Sequence, residues 1–344
     1  MIGAMYVVHQ GDFDEFELKV RTLLRQGLVA PALVTAFTSW EGPKALLCFG
    51  MLALEALLSL PLRMTHIIAS LAGWGHQITL GPPRFRRFAS RTTILERTID
   101  RLLFEGAVLS DLADNGRPKW TAVATELRTG SAFYFGAKTV GSWRLGRINP
   151  ARVTIAHAVT ASAAFPLLLP ALDDLLTFEK PDGARSSERI TLTDGGVYDN
   201  LGLATLWPDR DPAVSLDVEP VDTIIACRAG DGLRMGAPSL FFLARMSATV
   251  ATIHERAQNA AMKRLFDLKK DGRLRSFVLP YLGQVDARLR EAPADLVPRD
   301  EVTNYPTDFS PMTEDWIERL SRRGEQLTLA LVRENAPELL PASV

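Results

Sequence analysis

The stretch Thr191–Leu203 holds the residue types and spacing best suited to chemistry. An aspartate, Asp194, ends a short run rich in β-branched residues, and Gly195 and Gly196 follow it directly. β-Branched residues favour a strand, while paired glycines leave a bare backbone that can turn sharply and let another group approach closely. This pattern predicts a carboxylate presented at a strand end as the proton acceptor for a nucleophile.

The matching nucleophile is not evident in the sequence. No serine has a glycine two residues before it, so the chain contains no Gly-x-Ser-x-Gly elbow. Ser131 and Ser162 are the serines nearest the motifs that matter here. One opens a predicted strand and the other lies at a predicted helix end, and neither has the elbow glycines, so both are poor nucleophile candidates.

Three less specific interpretations stand beside catalysis. Asp194 could cap backbone N–H groups of a turn, as aspartates commonly do. Asp199 and Asn200 are more typical of turn-holding hydrogen bonds than of substrate contacts. A pairing of Asp194 with Asp199 as magnesium ligands for phosphoryl transfer is weaker, because no phosphate-binding glycine loop or P-loop lysine accompanies it.

The histidines and cysteines add no second centre. His157 lies in a small-residue helix, which suggests core packing rather than a triad histidine. The other histidines share no metal-ligand spacing, so neither a metal nor a cofactor is expected; they are His9, His66, His76 and His254. Cys48 and Cys227 lie far apart in apolar runs, which predicts buried, reduced thiols.

Composition limits the function classes. The chain has 344 residues, of which 47% are hydrophobic, enough for one large α/β domain. Its 39 basic and 40 acidic residues give a net charge of −1, so a nucleic-acid partner is not expected. The first residues lack the basic start and long apolar core of a secretory signal, and a cytoplasmic location is predicted. Oligomeric state stays open.

The most apolar part of the chain is Gly27–Pro83. Its run Ala45–Leu60 is too short to span a bilayer alone, which needs about 20 residues, and therefore predicts a buried or interfacial helix. Gly81–Pro83 then breaks regular structure. Four arginines follow, which suit either a solvated loop or anionic lipid headgroups; they are Arg84, Arg86, Arg87 and Arg91.

Further along, predicted strands and helices alternate, which is typical of a layered α/β sheet. Asn149 and Pro150 are typical of a helix start, and the polar stretch Phe178–Glu188 predicts a loop. The predicted helices are Thr92–Phe104, Ala151–Ala164, Leu240–Lys270 and Thr313–Arg333, and the predicted strands are Trp120–Leu127, Ser131–Phe135, Val221–Cys227 and Ser276–Leu282.

Taken in order, separated segments resemble the patatin-like phospholipases, which are serine lipid acyl hydrolases with a Ser-Asp dyad. The segments are Pro118–Phe135, Ala158–Pro166, Asp194–Gly196 and Tyr198–Gly202. The resemblance implies a three-layer α/β/α fold with a mostly parallel central sheet, here lacking its N-terminal strand and nucleophile elbow. It also implies that Asp194 is the catalytic base and that the substrate is a lipid ester. We expect one domain over residues 1–344, with 27–91 as an apolar helical insertion or cap that makes peripheral membrane contact.

In that family a glycine-rich loop and the serine elbow come first along the chain. Met1–His9 resembles the helix that follows the elbow, so the resemblance implies a serine just upstream of Met1. We therefore expect that the start was assigned too late or that the reading frame was split, and that the chain as given is nearly inactive. The alternative is a non-catalytic lipid-binding or scaffold protein on the same fold.

Overall fold

A computed structural model describes most of the chain. The described residues are 1–9, 12–71, 85–113, 116, 118–166, 168–180, 182–211, 215–216, 219, 221–228, 241–303, 305–306 and 308–341. The predicted break at Gly81–Pro83 lies outside them, as do Arg84 and His76.

The centre of the molecule is a closed six-stranded antiparallel barrel. Each strand pairs with the next along the chain, and β1 closes the barrel against β6. The strands are β1 (Thr121–Glu126), β2 (Ser131–Gly136), β3 (Val140–Ser142), β4 (Gly146–Ile148), β5 (Leu172–Glu179) and β6 (Arg185–Thr193).

The predicted mostly parallel central sheet of a three-layer α/β/α fold is therefore wrong. Strands joined by short turns pair antiparallel, whereas a parallel pair needs a crossover of a dozen residues or more. Among the described strands, only β7 (Thr223–Ile225) and β8 (Ser276–Val278) pair in parallel. A long helix of the intervening chain, α9 (Phe242–Lys270), lies between them in sequence and provides such a crossover.

The predicted polar loop over Phe178–Glu188 is also wrong. It contains the end of β5 and the start of β6, which pair without interruption from Leu172↔Leu192 to Glu179↔Arg185. An antiparallel strand can keep one face in water, so its sequence carries polar side chains there. Polarity alone therefore did not distinguish this hairpin from a loop.

The predicted hairpin and several helices are confirmed. Trp120–Leu127 and Ser131–Phe135 correspond to β1 and β2. The helix predicted over Ala151–Ala164 starts later, because Asn149 caps a short 3-10 turn and the Thr154 hydroxyl then caps the α-helix. The remaining helices of this part are α6 (Arg91–Ile99, continued by a π turn to Phe104), α7 (Ile155–Ser162), α8 (Gly196–Asp199) and α10 (Glu314–Asn335).

The main core lies inside the barrel and against the helices that cover it. Phe133, Phe135 and Phe178 are buried and their rings contact one another edgewise or at a tilt. The N-terminal helix α1 (Ile2–Val8) buries Ala4, Met5 and Val7 in the same cluster. The barrel and α1 thus share one continuous core. Helix α2 (Phe13–Gln26) follows α1.

Three apolar helices project from this body, and we call them the apolar arm. They are α3 (Val29–Thr38), α4 (Glu41–Leu58) and α5 (Leu60–Leu71). Among the described residues no single helix is both long and apolar enough to cross a membrane, although α4 and α5 together, bent by 48°, have that length and composition. Because 72–84 lies outside the described residues, the insertion or cap over 27–91 stays a prediction.

The two cysteines have different surroundings. Cys48 is buried on α4, as predicted, and its thiol lies 3.9 Å from the Arg86 carbonyl oxygen. Cys227 is exposed, so the prediction of a buried thiol is wrong there. It follows β7, which is a short strand at the edge of a two-stranded sheet and gives its neighbours little cover.

Candidate functional site

Asp194 lies directly after β6, where its backbone is tied to two other elements. The Thr125 hydroxyl of β1 donates to the Asp194 carbonyl oxygen at 2.8 Å. The Asp194 N–H donates to the Ala164 carbonyl at 3.1 Å, and the Gly195 N–H donates to the Ser162 carbonyl at 3.1 Å. The turn is thus held between a barrel strand and the end of α7.

The carboxylate itself is only partly satisfied. The Gly196 N–H donates to Oδ1 at 2.6 Å, while no hydrogen bond to Oδ2 comes from the described residues. Burial raises the pKa of Asp194, and the Gly196 N–H and nearby His254 oppose that rise without cancelling it. A desolvated carboxylate with a spare oxygen is a stronger proton acceptor than one in water.

Gly195 and Gly196 are required by close packing rather than by unusual dihedral angles. Gly195 has an ordinary helical φ of −63°, but a Cβ there would lie 1.9 Å from the Val123 carbonyl oxygen. At Gly196 a Cβ would lie 2.8 Å from Asp194 Oδ1 and 3.2 Å from His254 Cε1. The bare backbone that the sequence predicted therefore serves close approach of strand, carboxylate and imidazole.

Two residues beside this turn had been considered in the sequence and set aside. His254 comes from α9, and the hydroxyl of Ser162, at the end of α7, lies 3.4 Å from the position of a Cβ on Gly195. His254 is 60 residues from Asp194 along the chain, so no local spacing could indicate it. Ser162 makes no described hydrogen bond to the carboxylate, and the structure gives it no sign of activation.

Asp199 holds the turn, as the turn interpretation predicted, while the same role for Asn200 stays a prediction. The Ala204 N–H donates to Asp199 Oδ2. Burial raises the pKa of Asp199, and N–H donors from Ala204, Leu201 and Gly202 work against the rise. In the part of the chain that the structure describes, no group of three or more acidic, histidine or cysteine side chains could hold a metal ion. Asp199 is therefore occupied by backbone donors.

The surroundings of the turn combine a cleft with exposed apolar side chains. A cavity of about 570 Å³ opens between α8 and α9, next to the turn. Tyr198 and Ala257 line it together with the charged side chains of Asp209, Arg210 and Arg264, and Asp194 does not line it. Three apolar residues that adjoin the turn residues or His254 in sequence are exposed; they are Phe165, Val197 and Ile253.

His157, the other histidine that the sequence considered, is a packed side chain and carries a charge. Its Nδ1 lies 3.2 Å from Glu96 Oε1 and its Nε2 lies 3.4 Å from Asp174 Oδ2. Burial lowers the pKa of His157, but the two carboxylates outweigh that effect and raise the pKa to about 10. It lies edge-on to Phe135 and helps to fasten α7 to α6 and β5.

Comparison with known proteins adds no family. No protein-family model matches the chain, and no curated protein matches it. The resemblance to patatin-like phospholipases rests on the quoted segments alone.

Proposed function

We propose that this chain carries the base of a lipid acyl hydrolase, with Asp194 accepting the proton of a serine hydroxyl in a Ser-Asp dyad. The observation that supports this most strongly is the state of the carboxylate. It is desolvated, it is held rigidly between β1 and α7, and its Oδ2 is unused among the described residues. Asp194 is only partly buried and its Oδ2 is not a buried unpaired atom, so that oxygen is open to an approaching hydroxyl.

The proposed reaction has two steps. Asp194 takes the serine proton while the serine oxygen attacks the ester carbonyl; the alcohol then leaves with a proton, and an acyl-enzyme remains. Water, deprotonated by the same carboxylate, attacks the acyl carbonyl; the bond to the serine oxygen breaks, the fatty acid leaves, and Asp194 returns the proton to the serine oxygen. Because an aspartate is a far weaker base than an alkoxide, donors that stabilise the oxyanion must supply much of the rate enhancement.

The proposal takes the hydroxyl from a serine ahead of Met1, where the resemblance puts the elbow. Helix α1 packs beside the start of β1, since a Cβ on Gly3 would lie 3.3 Å from the Trp120 ring, and the Asp194 turn packs on the same strand at Val123.

Exposed apolar side chains near the turn suit a lipid ester. Phe165, Val197 and Ile253 are exposed apolar side chains adjoining the residues that hold the turn. Exposed apolar groups beside a cleft commonly mark a ligand surface. We propose that they contact the acyl chain of the substrate, while the ester carbonyl approaches Asp194.

The test is hydrolysis of a short-chain p-nitrophenyl ester by the chain extended with the in-frame coding sequence that precedes Met1. We expect activity from the extended chain, only background from the 344-residue chain, and a loss of about 10³-fold in Asp194→Asn, which is the usual contribution of a general base. Asp182→Asn is the matched control, since Asp182 lies in the β5–β6 turn and its Oδ1 accepts one backbone N–H.

Equal activity of Asp194→Asn and the parent would refute the base assignment. Activity of the 344-residue chain that Ser162→Ala removes would move the nucleophile to Ser162. An upstream sequence without a serine elbow, together with no activity from any form, would favour the non-catalytic lipid-binding protein instead.

A further inference from the structure

The apolar arm exposes a large set of hydrophobic side chains to solvent. Phe37 is 86% exposed, Trp40 78% and Leu71 84%. Further exposed residues on the arm are Val29, Leu33, Val34, Leu46, Leu47, Phe49, Leu54, Leu57, Leu58, Leu60, Leu62, Met64, Ile67 and Ile68. Scattered exposed leucines are ordinary, but a continuous set of this size marks an interaction surface.

The exposed apolar side chains lie on several faces of these helices and do not form a single stripe. Helix α4 fully buries only Cys48, and α5 buries none of its residues. The partly covered positions of α4 follow one face, and the remaining faces are open. A folded partner would cover a stripe or fill a groove, whereas a helix that is apolar all round belongs in a core or in lipid. The arm is therefore matched to hydrocarbon.

The base of the arm carries both acidic and basic side chains. Glu41 is paired with Lys44 at 2.8 Å, and Glu55 accepts the Phe85 N–H at 3.2 Å, so the two acidic groups of α4 are engaged. The cleft beside Arg87 is also lined by carboxylates; they are Glu96, Asp100, Asp173 and Asp174. Four arginines form no ion pair within the described residues and can meet anionic headgroups; they are Arg63 on α5 and Arg86, Arg87 and Arg91 at the start of α6.

The segment that holds Arg86 and Arg87 lies along the covered face of α4. The Arg86 carbonyl contacts Cys48, and the Phe85 N–H contacts Glu55. At 1.5 Å per residue, α4 and α5 extend about 27 Å and 18 Å, and neither helix alone is long and apolar enough to cross a bilayer.

We propose that the apolar arm docks this protein on an anionic phospholipid membrane, with α3–α5 lying in the boundary between headgroups and acyl chains. Interfacial helices of this kind bury their apolar side and keep cations among the headgroups. The inference goes beyond ester hydrolysis and holds whether or not Asp194 is catalytic.

The test is flotation of the full chain with phosphatidylcholine vesicles that contain or lack phosphatidylglycerol. We expect strong binding to the anionic vesicles and weak binding to the neutral ones. Replacing three residues on the open face of α4 (Leu46→Gln, Phe49→Gln and Leu57→Gln) should weaken binding at least ~100-fold through lost burial. Replacing two cations (Arg63→Gln and Arg87→Gln) should weaken it ~30-fold, since each cation near the surface contributes a factor of about five.

Matched controls separate docking from general surface changes. Lys138→Gln with Lys180→Gln removes two exposed cations from barrel turns, and Leu18→Gln with Leu339→Gln removes two exposed leucines outside the arm. Both pairs should bind as the parent does. Asp194→Asn should also bind normally, so that a failure of the hydrolase proposal is distinguishable from a failure of docking.

A second measurement guards against misfolding of the triple variant. Brominated lipids should quench the tryptophan fluorescence of the parent, and the conservative Trp40→Phe should reduce that quenching while binding persists. Binding independent of both phosphatidylglycerol and the α4 substitutions would overturn the proposal. So would self-association that the α4 substitutions abolish in a chain that does not bind vesicles, because the arm would then be an interface between copies.

Discussion

Asp194 and His157 are both ionisable side chains withdrawn from water, and their surroundings have opposite effects. His157 lies between the carboxylates of Glu96 and Asp174, so its charged form is favoured despite burial. Asp194 has one backbone donor and a nearby histidine, which do not offset its burial. Burial beside two opposite charges keeps the charged form and fastens the elements together, whereas burial beside one backbone donor raises the pKa of the acid and leaves it able to take a proton.

The largest effect is expected for His157, whose burial is offset by ion pairs. His157→Gln removes the cation between two partly buried carboxylates, and we expect the free energy of unfolding at pH 7 to fall by about 2–3 kcal/mol. Urea denaturation followed by circular dichroism measures it. His66→Gln, on exposed α5 with no described ion pair, should change stability by less than about 0.5 kcal/mol. An equally small change for His157→Gln would show that the two contacts contribute nothing.

Gly195→Ala tests how closely the turn that carries Asp194 packs against β1. Its Cβ would meet the Val123 carbonyl at 1.9 Å, and backbone cannot move aside cheaply, so we expect a loss of about 2 kcal/mol in unfolding free energy. Gly324→Ala in α10, where nothing lies within 4 Å of the new Cβ, should instead stabilise by up to about 1 kcal/mol. A harmless Gly195→Ala would contradict the close approach of strand and turn.

The pH dependence of stability should follow the sign of the His157 shift. A raised pKa stabilises the folded state fully below the unfolded value of 6.5 and loses that contribution as the pH rises through about 10. The stability gap between the parent and His157→Gln should therefore shrink from pH 6.5 to pH 10. A gap that stays constant over this range would mean that His157 is not charged in the folded state.

The smallest expected effect has the opposite sign and concerns Asp194. Because its pKa is raised in the folded state, ionisation at pH 7 destabilises the fold, and stability that exists at low pH is lost as the pH rises through the folded pKa. Asp194→Asn should therefore raise the melting temperature slightly at pH 7, and this gain should vanish below the ordinary aspartate pKa of 3.8. A destabilised Asp194→Asn would mark Asp194 as structural.

Local signals carried the sequence predictions that succeeded. The Arg128-Thr129-Gly130 turn between two apolar runs predicted the β1–β2 hairpin, and long amphipathic segments predicted α9 and α10. The two glycines after Asp194 predicted that other groups approach this backbone closely, and Val123 and His254 lie within such a distance. Such features depend on residues only a few positions apart, so they can be predicted directly from the sequence.

The fold-class prediction failed because it depended on pairing that joins distant parts of the chain, whereas the loop predicted over Phe178–Glu188 failed because a polar hairpin resembles a loop. Whether neighbouring strands lie parallel or antiparallel depends on the connection between them, and the barrel closes through β1 and β6, where Glu126 pairs with Leu192. The same holds for the site: the sequence by itself determined that Asp194 ends a strand before two glycines. Only the tertiary structure decided that His254 faces it, that its carboxylate is desolvated, and that His157 is charged, because burial and ion pairing arise when the elements pack.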